Sequence, residues 1–186
     1  MAVMCLNRTQ AQLVVVDVQE KMLAHIHARE DVLAQIVRMM RAAHELELPL
    51  TISEQYVRGL GPTVPQVLSA AGEPARFTKL EKMAFSLMRD EPLREHIVGL
   101  RRPQVVLVGI ESHVCVQQTA FDLLRLGLEP CVLADAVGSR RTSDRDVALD
   151  RMRAAGIAVS TVEAAIFEML ELSGTDLFKR LLPIVR

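Results

Sequence analysis

An α/β fold, with a mostly parallel six-stranded sheet between two layers of helices, is what this sequence predicts. Three observations carry the prediction. Leu13–Val18 and Gln104–Ile110 are short, nearly uninterrupted apolar runs rich in valine, the pattern of strands buried on both faces. Between such runs lie longer segments whose apolar residues recur every three or four positions. The chain has 186 residues, 50% of them apolar, which is enough for one closed core. All of it, residues 1–186, reads as a single domain without repeat, low-complexity tract or interdomain linker.

The elements follow in order. Leu13–Val18 is the first strand, and Asp31–Leu46 a helix with a stripe of Val32, Leu33, Ile36, Val37, Met40 and Ala43. Pro49 blocks continuation, and Leu50–Ser53 forms the second strand. Glu54–Glu73, with Gly59, Gly61, Pro62, Pro65 and Gly72, is loop apart from a short helix at Pro65–Ala71 capped near Thr63 or Val64. A loop of this length in a compact domain is often functional. Ala75–Lys79 is a weaker third strand, and Glu91–Leu100 a helix with Pro92 in its first turn. Gln104–Ile110 is the fourth strand, and His113–Leu126 the helix after it, stopped by Gly127. Glu129–Ala136 is the fifth strand, Ser143 caps a helix running to Ala155, and Ile157–Ser160 is the sixth strand. Ser160–Glu163 has capping-box spacing ahead of Ala164–Leu170, and Thr175–Leu182 closes the chain as a helix. Alternation of this kind, with right-handed crossovers, gives a Rossmann-like three-layer α/β/α sandwich with strand order 3-2-1-4-5-6.

Composition excludes several function classes. Lys and Arg total 22 against 23 Asp and Glu, so there is no basic excess for general nucleic-acid binding. Aromatic residues make up 3%, with no Trp and a single Tyr, too few for base-stacking platforms. No run of about 18 apolar residues is present to span a membrane, and MAVMCLNRTQ lacks the charged-then-apolar pattern of a signal peptide. The three cysteines cannot all pair with one another. A cytoplasmic, reducing compartment and a small-molecule partner are expected, with neither nucleic acid nor membrane involved.

In an open parallel sheet, ligands bind beyond the strand carboxyl ends where the strand order reverses, here between strands one and four. Asp17 ends strand one and Cys115 sits in the first turn of the helix after strand four. A strand-end carboxylate often serves as a cap, and a buried thiol often behaves as a small hydrophobe. A thiol at a helix N-terminus, however, meets the positive end of the dipole and unpaired N–H groups, which favour thiolate. Cys131 lies inside a strand and reads as core, and Cys5 as an incidental residue near the terminus. His113 is two residues from Cys115, a spacing that turns the two side chains apart. His25 and His27 lack further ligands nearby, and the turn after strand one lacks G-x-G-x-x-G. Lys79 and Lys82 follow strand three, and Arg140 and Arg141 follow strand five at the same edge of the sheet as the crevice.

At these residues the sequence resembles the isochorismatase-like cysteine hydrolases, and within them the isochorismatase domain-containing proteins. The resemblance spans nearly the whole chain. It rests on Val14-Val15-Val16-Asp17-Val18-Gln19, on Lys82-Met83-Ala84-Phe85-Ser86, and on Gly109-Ile110-Glu111-Ser112-His113-Val114-Cys115. Glu54-Gln55-Tyr56 with Gly59-Leu60-Gly61-Pro62-Thr63-Val64-Pro65, and Asp135 to Arg140, add to it. The resemblance implies a catalytic triad of Asp17, Lys82 and Cys115, and a cis peptide at Ile110–Glu111. It also implies an oxyanion hole formed by the backbone N–H groups of Glu111 and Cys115, and a homo-oligomer whose neighbouring chain helps close the pocket. Leu23, Tyr56 and Phe85 are expected to line that pocket. Metal-dependent relatives carry an Asp-x-His pair where this chain reads Ser53-Glu54-Gln55-Tyr56, so neither metal nor other cofactor is expected. The expected activity is metal-independent hydrolysis of a small amide-like C–N bond through a Cys115 thioester. Asp17 accepts the thiol proton, and Lys82 with the helix N-terminus is expected to lower the Cys115 pKa against the opposing charge of Asp17. Two other readings stay open: an isochorismatase-type ether hydrolase with Asp17 as the acid, and a non-catalytic small-molecule-binding or interaction protein. A thiol redox role lacks a C-x-x-C or a resolving cysteine.

Overall fold

A computed structural model describes residues 5–186. Its sheet has six strands in the order 3-2-1-4-5-6, and every neighbouring pair within it is parallel. The strands are β1 (Ala11–Val16), β2 (Leu50–Gln55), β3 (Thr78–Lys82), β4 (Gln104–Ile110), β5 (Glu129–Gly138) and β6 (Ala158–Ser160). β1, β2 and β4 are buried along their whole length because both faces are covered. One face packs into a core with Leu13, Val15, Ile36, Met40 and Ile166, the other into a core with Val14, Val16, Leu93, Leu107 and Leu123. These are the two inner layers of the α/β/α sandwich.

The helices on and between the faces are α1 (Glu20–Leu23), α2 (Arg29–Glu45), α3 (Val57–Leu60), α4 (Pro65–Ala71), α5 (Glu91–Gly99), α6 (Gln117–Arg125), α7 (Thr142–Ala154), α8 (Val162–Leu170) and α9 (Asp176–Val185). Most boundaries fall within a few residues of the periodicity, and Pro65–Ala71 and Gln104–Ile110 coincide with it. The third strand does not. Pro74–Arg76 makes a 3₁₀ turn where extension was expected at Ala75–Lys79, so the strand begins at Thr78 and pairs Gln55 with Lys82. Lys82 is thereby the last residue of β3 rather than a loop residue. The capping box is also displaced: Thr161, not Ser160, is the cap and accepts from Ala164 N–H. α7 starts one residue before Ser143 without a side-chain cap. The helix expected over His113–Leu126 opens as a π-helical turn, Ser112–Val116, before α6 continues it.

One glycine fixes how closely the central strands approach. Gly109 has φ +119°, and a Cβ built there would stand 2.2 Å from the Val16 carbonyl oxygen. Val16 and Gly109 are register partners, and the residues that follow them, Asp17 on one strand and Ile110–Glu111 on the other, lead into the crevice.

Candidate functional site

β1 ends at Val16, and Asp17 takes a left-handed backbone conformation with φ +51°. Its N–H donates to the Ser53 carbonyl on β2 at 3.1 Å. This turn leaves the carboxylate buried between three strands. Oδ1 accepts from the Ser53 hydroxyl at 2.7 Å, and Oδ2 from the Lys82 ammonium at 2.7 Å.

Lys82 is 1% exposed. Its Nζ also donates to Gln55 Oε1 at 2.7 Å and to the carbonyls of Ala84 and Phe85, both at 3.1 Å. Cys115 Sγ lies 3.7 Å from it. A buried ammonium persists as a cation only when so surrounded, because desolvation otherwise neutralises it. Gln55 is held in turn. Its Nε2 donates to the Met83 carbonyl at 2.9 Å, and its backbone N–H donates to Gln19 Oε1 at 2.7 Å. Gln19 Nε2 ties the same network to the carbonyls of Gln55 and Gly61, at 3.0 and 2.6 Å. Thr63 donates through its N–H and its hydroxyl to Glu54, at 2.8 and 2.7 Å, which anchors the loop after β2. Burial alone would raise the Glu54 pKa, but the two Thr63 donors and Lys79 outweigh it and hold the carboxyl below its ordinary value.

Cys115 lies in the π-helical turn after β4, and the peptide between Ile110 and Glu111 is cis. The thiol is 6% exposed and opens on a cavity of about 70 Å³. Asp17, Gln55, Glu111 and Cys115 line it together with Met22, Leu60, Phe85, Ile110 and Val114. Asp17, Lys82 and Cys115, far apart in sequence, are therefore in one place. The Cys115 pKa is driven upward rather than down. Burial is the main cause, the Asp17 charge adds to it, and Lys82 opposes it without prevailing. The expectation of a lowered thiol pKa is corrected: burial and the Asp17 charge push it upward beside the Asp17–Lys82 ion pair.

Other expected residues fall elsewhere. Phe85 lines the cavity, but Leu23 faces the core and its neighbour Met22 takes the place facing the site. Tyr56 has φ +39°, and its ring lies against Gly59, so Gln55 and Leu60 line the cavity instead. His113 Nδ1 is 3.0 Å from the Ser139 hydroxyl and lies outside the cavity lining. Arg140 pairs with Glu111 Oε1 at 3.0 Å, and with Arg141 and Asp144 it borders a separate concavity of about 230 Å³. Lys79 pairs with Glu54 at 3.2 Å. Ser53, Gln55, Gln19 and Met22 were not singled out from the sequence. Ser53 and Gln55 end the strand next to β1, so the rule that located Asp17 covers them too.

A concavity of about 770 Å³ runs between α2 and α4, and no thiol lines it. Among the described residues, no group of three His, Cys, Asp or Glu side chains stands close enough to hold a metal ion. No helix among them is long and apolar enough to cross a membrane.

Comparison with known proteins places this geometry. Residues 11–164 match the family model of the isochorismatase domain. Isochorismatase domain-containing protein 2 of Xenopus laevis is 36% identical over 182 residues, covering 97% of this chain and 85% of that protein. The solved structure of the MAR1 ribonuclease of Caenorhabditis elegans superposes with a TM-score of 0.90 at 36% identity, over 98% of this chain and 92% of that one. The Escherichia coli YcaC protein, described as an octameric hydrolase of unknown specificity, shares the fold at 20% identity with a TM-score of 0.89, over 98% and 93% of the two chains. The chain belongs to the isochorismatase family, in the subgroup of the isochorismatase domain-containing proteins, and has the family's hydrolase fold.

Proposed function

We propose that the chain acts as one hydrolase domain that cleaves a small amide-like C–N bond through a thioester on Cys115, without a metal or other cofactor. The observation that carries this reading is the buried contact of Lys82 Nζ with Asp17 at 2.7 Å and with Cys115 Sγ at 3.7 Å, behind a cavity that Asp17 and Cys115 line. Sulfur attacks the carbonyl carbon while the thiol proton passes to Asp17. Lys82, paired with Asp17 and beside Cys115 Sγ, stabilises the negative charge as it moves onto sulfur. The carbonyl oxygen, now anionic, takes hydrogen bonds from the backbone N–H groups of Glu111 and Cys115, both of which border the cavity. Removing one such donor commonly costs about 100–1,000-fold in rate. The tetrahedral adduct collapses as the C–N bond breaks, and the leaving amine takes the proton from Asp17. Water then adds to the thioester with Asp17 as base, and the carboxylic acid departs as the thiol is restored.

The ether-hydrolase reading uses the same Asp17 as an acid but gives Cys115 nothing to do. The Caenorhabditis elegans neighbour is named a ribonuclease. A cavity of about 70 Å³ and a charge balance of 22 against 23 offer no basic track for an RNA backbone, so that activity is not carried over. Three free cysteines fit a reducing, cytoplasmic setting. The octameric state described for YcaC supports a homo-oligomer here. A panel of small amides, carbamoyl compounds and isochorismate, each followed by mass spectrometry of the protein, tests the proposal. An acyl adduct on Cys115 with a turned-over amide is expected. Turnover of isochorismate alone, with unmodified Cys115, refutes it.

A further inference from the structure

We infer that the Cys115 cavity selects a small neutral acyl donor and rejects one carrying a carboxylate. The inference rests on the proposed nucleophilic role of Cys115 and adds the charge class of the substrate.

The two cations that contact the acidic groups of the cavity wall, Lys82 on Asp17 and Arg140 on Glu111, are already committed. Lys82 Nζ has three protons, and four oxygens stand within 3.1 Å of it: Asp17 Oδ2, Gln55 Oε1, and the Ala84 and Phe85 carbonyls. No proton is left to bind a substrate carboxylate. Lys82 is also absent from the cavity wall, whereas Asp17, its partner, forms part of it. The second charged group in the wall is Glu111, which is likewise acidic. Its Oε1 accepts from both the Nε–H and the backbone N–H of Arg140, at 3.0 and 3.3 Å, so that guanidinium is already engaged. Gln55, the one neutral polar side chain in the lining besides the Cys115 thiol, already spends its Oε1 on Lys82 and its Nε2 on the Met83 carbonyl, and Met22, Leu60, Phe85, Ile110 and Val114 are apolar. An anion entering this space loses its hydration, finds no free donor cation and faces two carboxylates. A neutral group loses far less. The volume of about 70 Å³ admits only a small ligand.

Iodoacetamide and iodoacetate test this directly, since they are nearly the same size and differ in charge. Each alkylates a thiol in one step: the S–C bond forms, iodide leaves, and the thiol proton passes to base. Rates at Cys115 are read by mass spectrometry on the intact protein at neutral pH. Exposed Cys5 serves as the accessibility control and N-acetylcysteinamide as the reference for intrinsic reactivity. The ratio of iodoacetamide to iodoacetate rates at Cys115 is expected to exceed the reference ratio by about tenfold or more. A ratio equal to the reference overturns the inference while leaving Cys115 as a nucleophile. Labelling of Cys5 by both reagents with none at Cys115 takes down the nucleophile and the inference together. Glu111→Gln frees Arg140, and the ratio at Cys115 is then expected to fall toward the reference. An unchanged ratio in that variant overturns the part assigned to Glu111.

Discussion

Cys115 and Cys131 are both buried and both free, yet the fold treats them differently. Cys131 is a mid-strand residue of β5, paired in register with Val106 and Ala158 and packed into the core. Burial pushes its thiol up to about 12, with the Glu168 charge adding to the shift. Burial pushes Cys115 up too, yet it faces a cavity and has a carboxylate and an ammonium at hand. The contrast teaches what the proposed chemistry needs: with the thiol pKa pushed upward, the proposed reaction rests on a carboxylate in reach and one open face, the proton leaving as the bond forms.

The largest effect sharpens the contrast. Cys115→Ser is expected to lower amide turnover on the order of a thousandfold or more, because a hydroxyl is a far poorer nucleophile beside a carboxylate base. Cys131→Ala is expected to leave kcat within about twofold and to cost about 1 kcal/mol of stability from the lost core volume. Abolished turnover in a folded Cys131→Ala protein would break the comparison. Next is Lys82→Met, which leaves Asp17 buried without its cation. Unfolding in urea should show a loss of about 3–5 kcal/mol, partly restored when Asp17→Asn is added, and Cys115 alkylation should slow. An undiminished stability in Lys82→Met would mean that the ion pair is not buried as described.

A smaller effect follows from the raised thiol pKa values. A thiol whose folded pKa lies above its unfolded value stays protonated in the native state after the unfolded chain has begun to ionise. The unfolded state then binds fewer protons, and stability falls as pH rises. For Cys131 the window opens near the ordinary thiol value of 9.0 and closes near about 12. The slope approaches about 1.4 kcal/mol per pH unit once the unfolded thiol is ionised. Denaturation midpoints at successive pH values from 8 upward read it, and Cys131→Ala is expected to fall less steeply than wild type. The smallest effect is at exposed Cys5, where Cys5→Ser should change stability by less than about 0.5 kcal/mol and turnover not at all.

The parallel sheet and its strand order were legible because buried strands announce themselves by unbroken apolar runs. Topology then brought Asp17 and Cys115 together without help. Lys82 was legible only through the resemblance, since Pro74–Arg76 consumes residues that read as strand and shifts β3 toward it. Ser53, Gln55 and Gln19 were illegible for a different reason. Their meaning lies in bonds to residues 27 to 36 positions away, and a polar side chain at a strand end looks the same whether it meets water or a buried carboxylate. Met22 and Leu23 could not be ordered because a helix of four residues is too short to fix its phase. Tyr56 went astray at one backbone angle, the positive φ that lays its ring on Gly59.

The close approach at Gly109 sets a gauge. Val16 and Gly109 are the last rungs of the β1–β4 register before one strand leads to Asp17, the proposed base, and the other to Cys115. The carbonyl of Val16 occupies the space where a side chain at 109 would begin. A single methyl there forces the seam between β1 and β4 apart, and a misplacement of reacting groups by about 1 Å can cost on the order of a hundredfold in rate. The separation of Asp17 and Cys115, on which the proposed reaction depends, is thus calibrated by a carbon the chain leaves out, at a residue with no chemistry of its own.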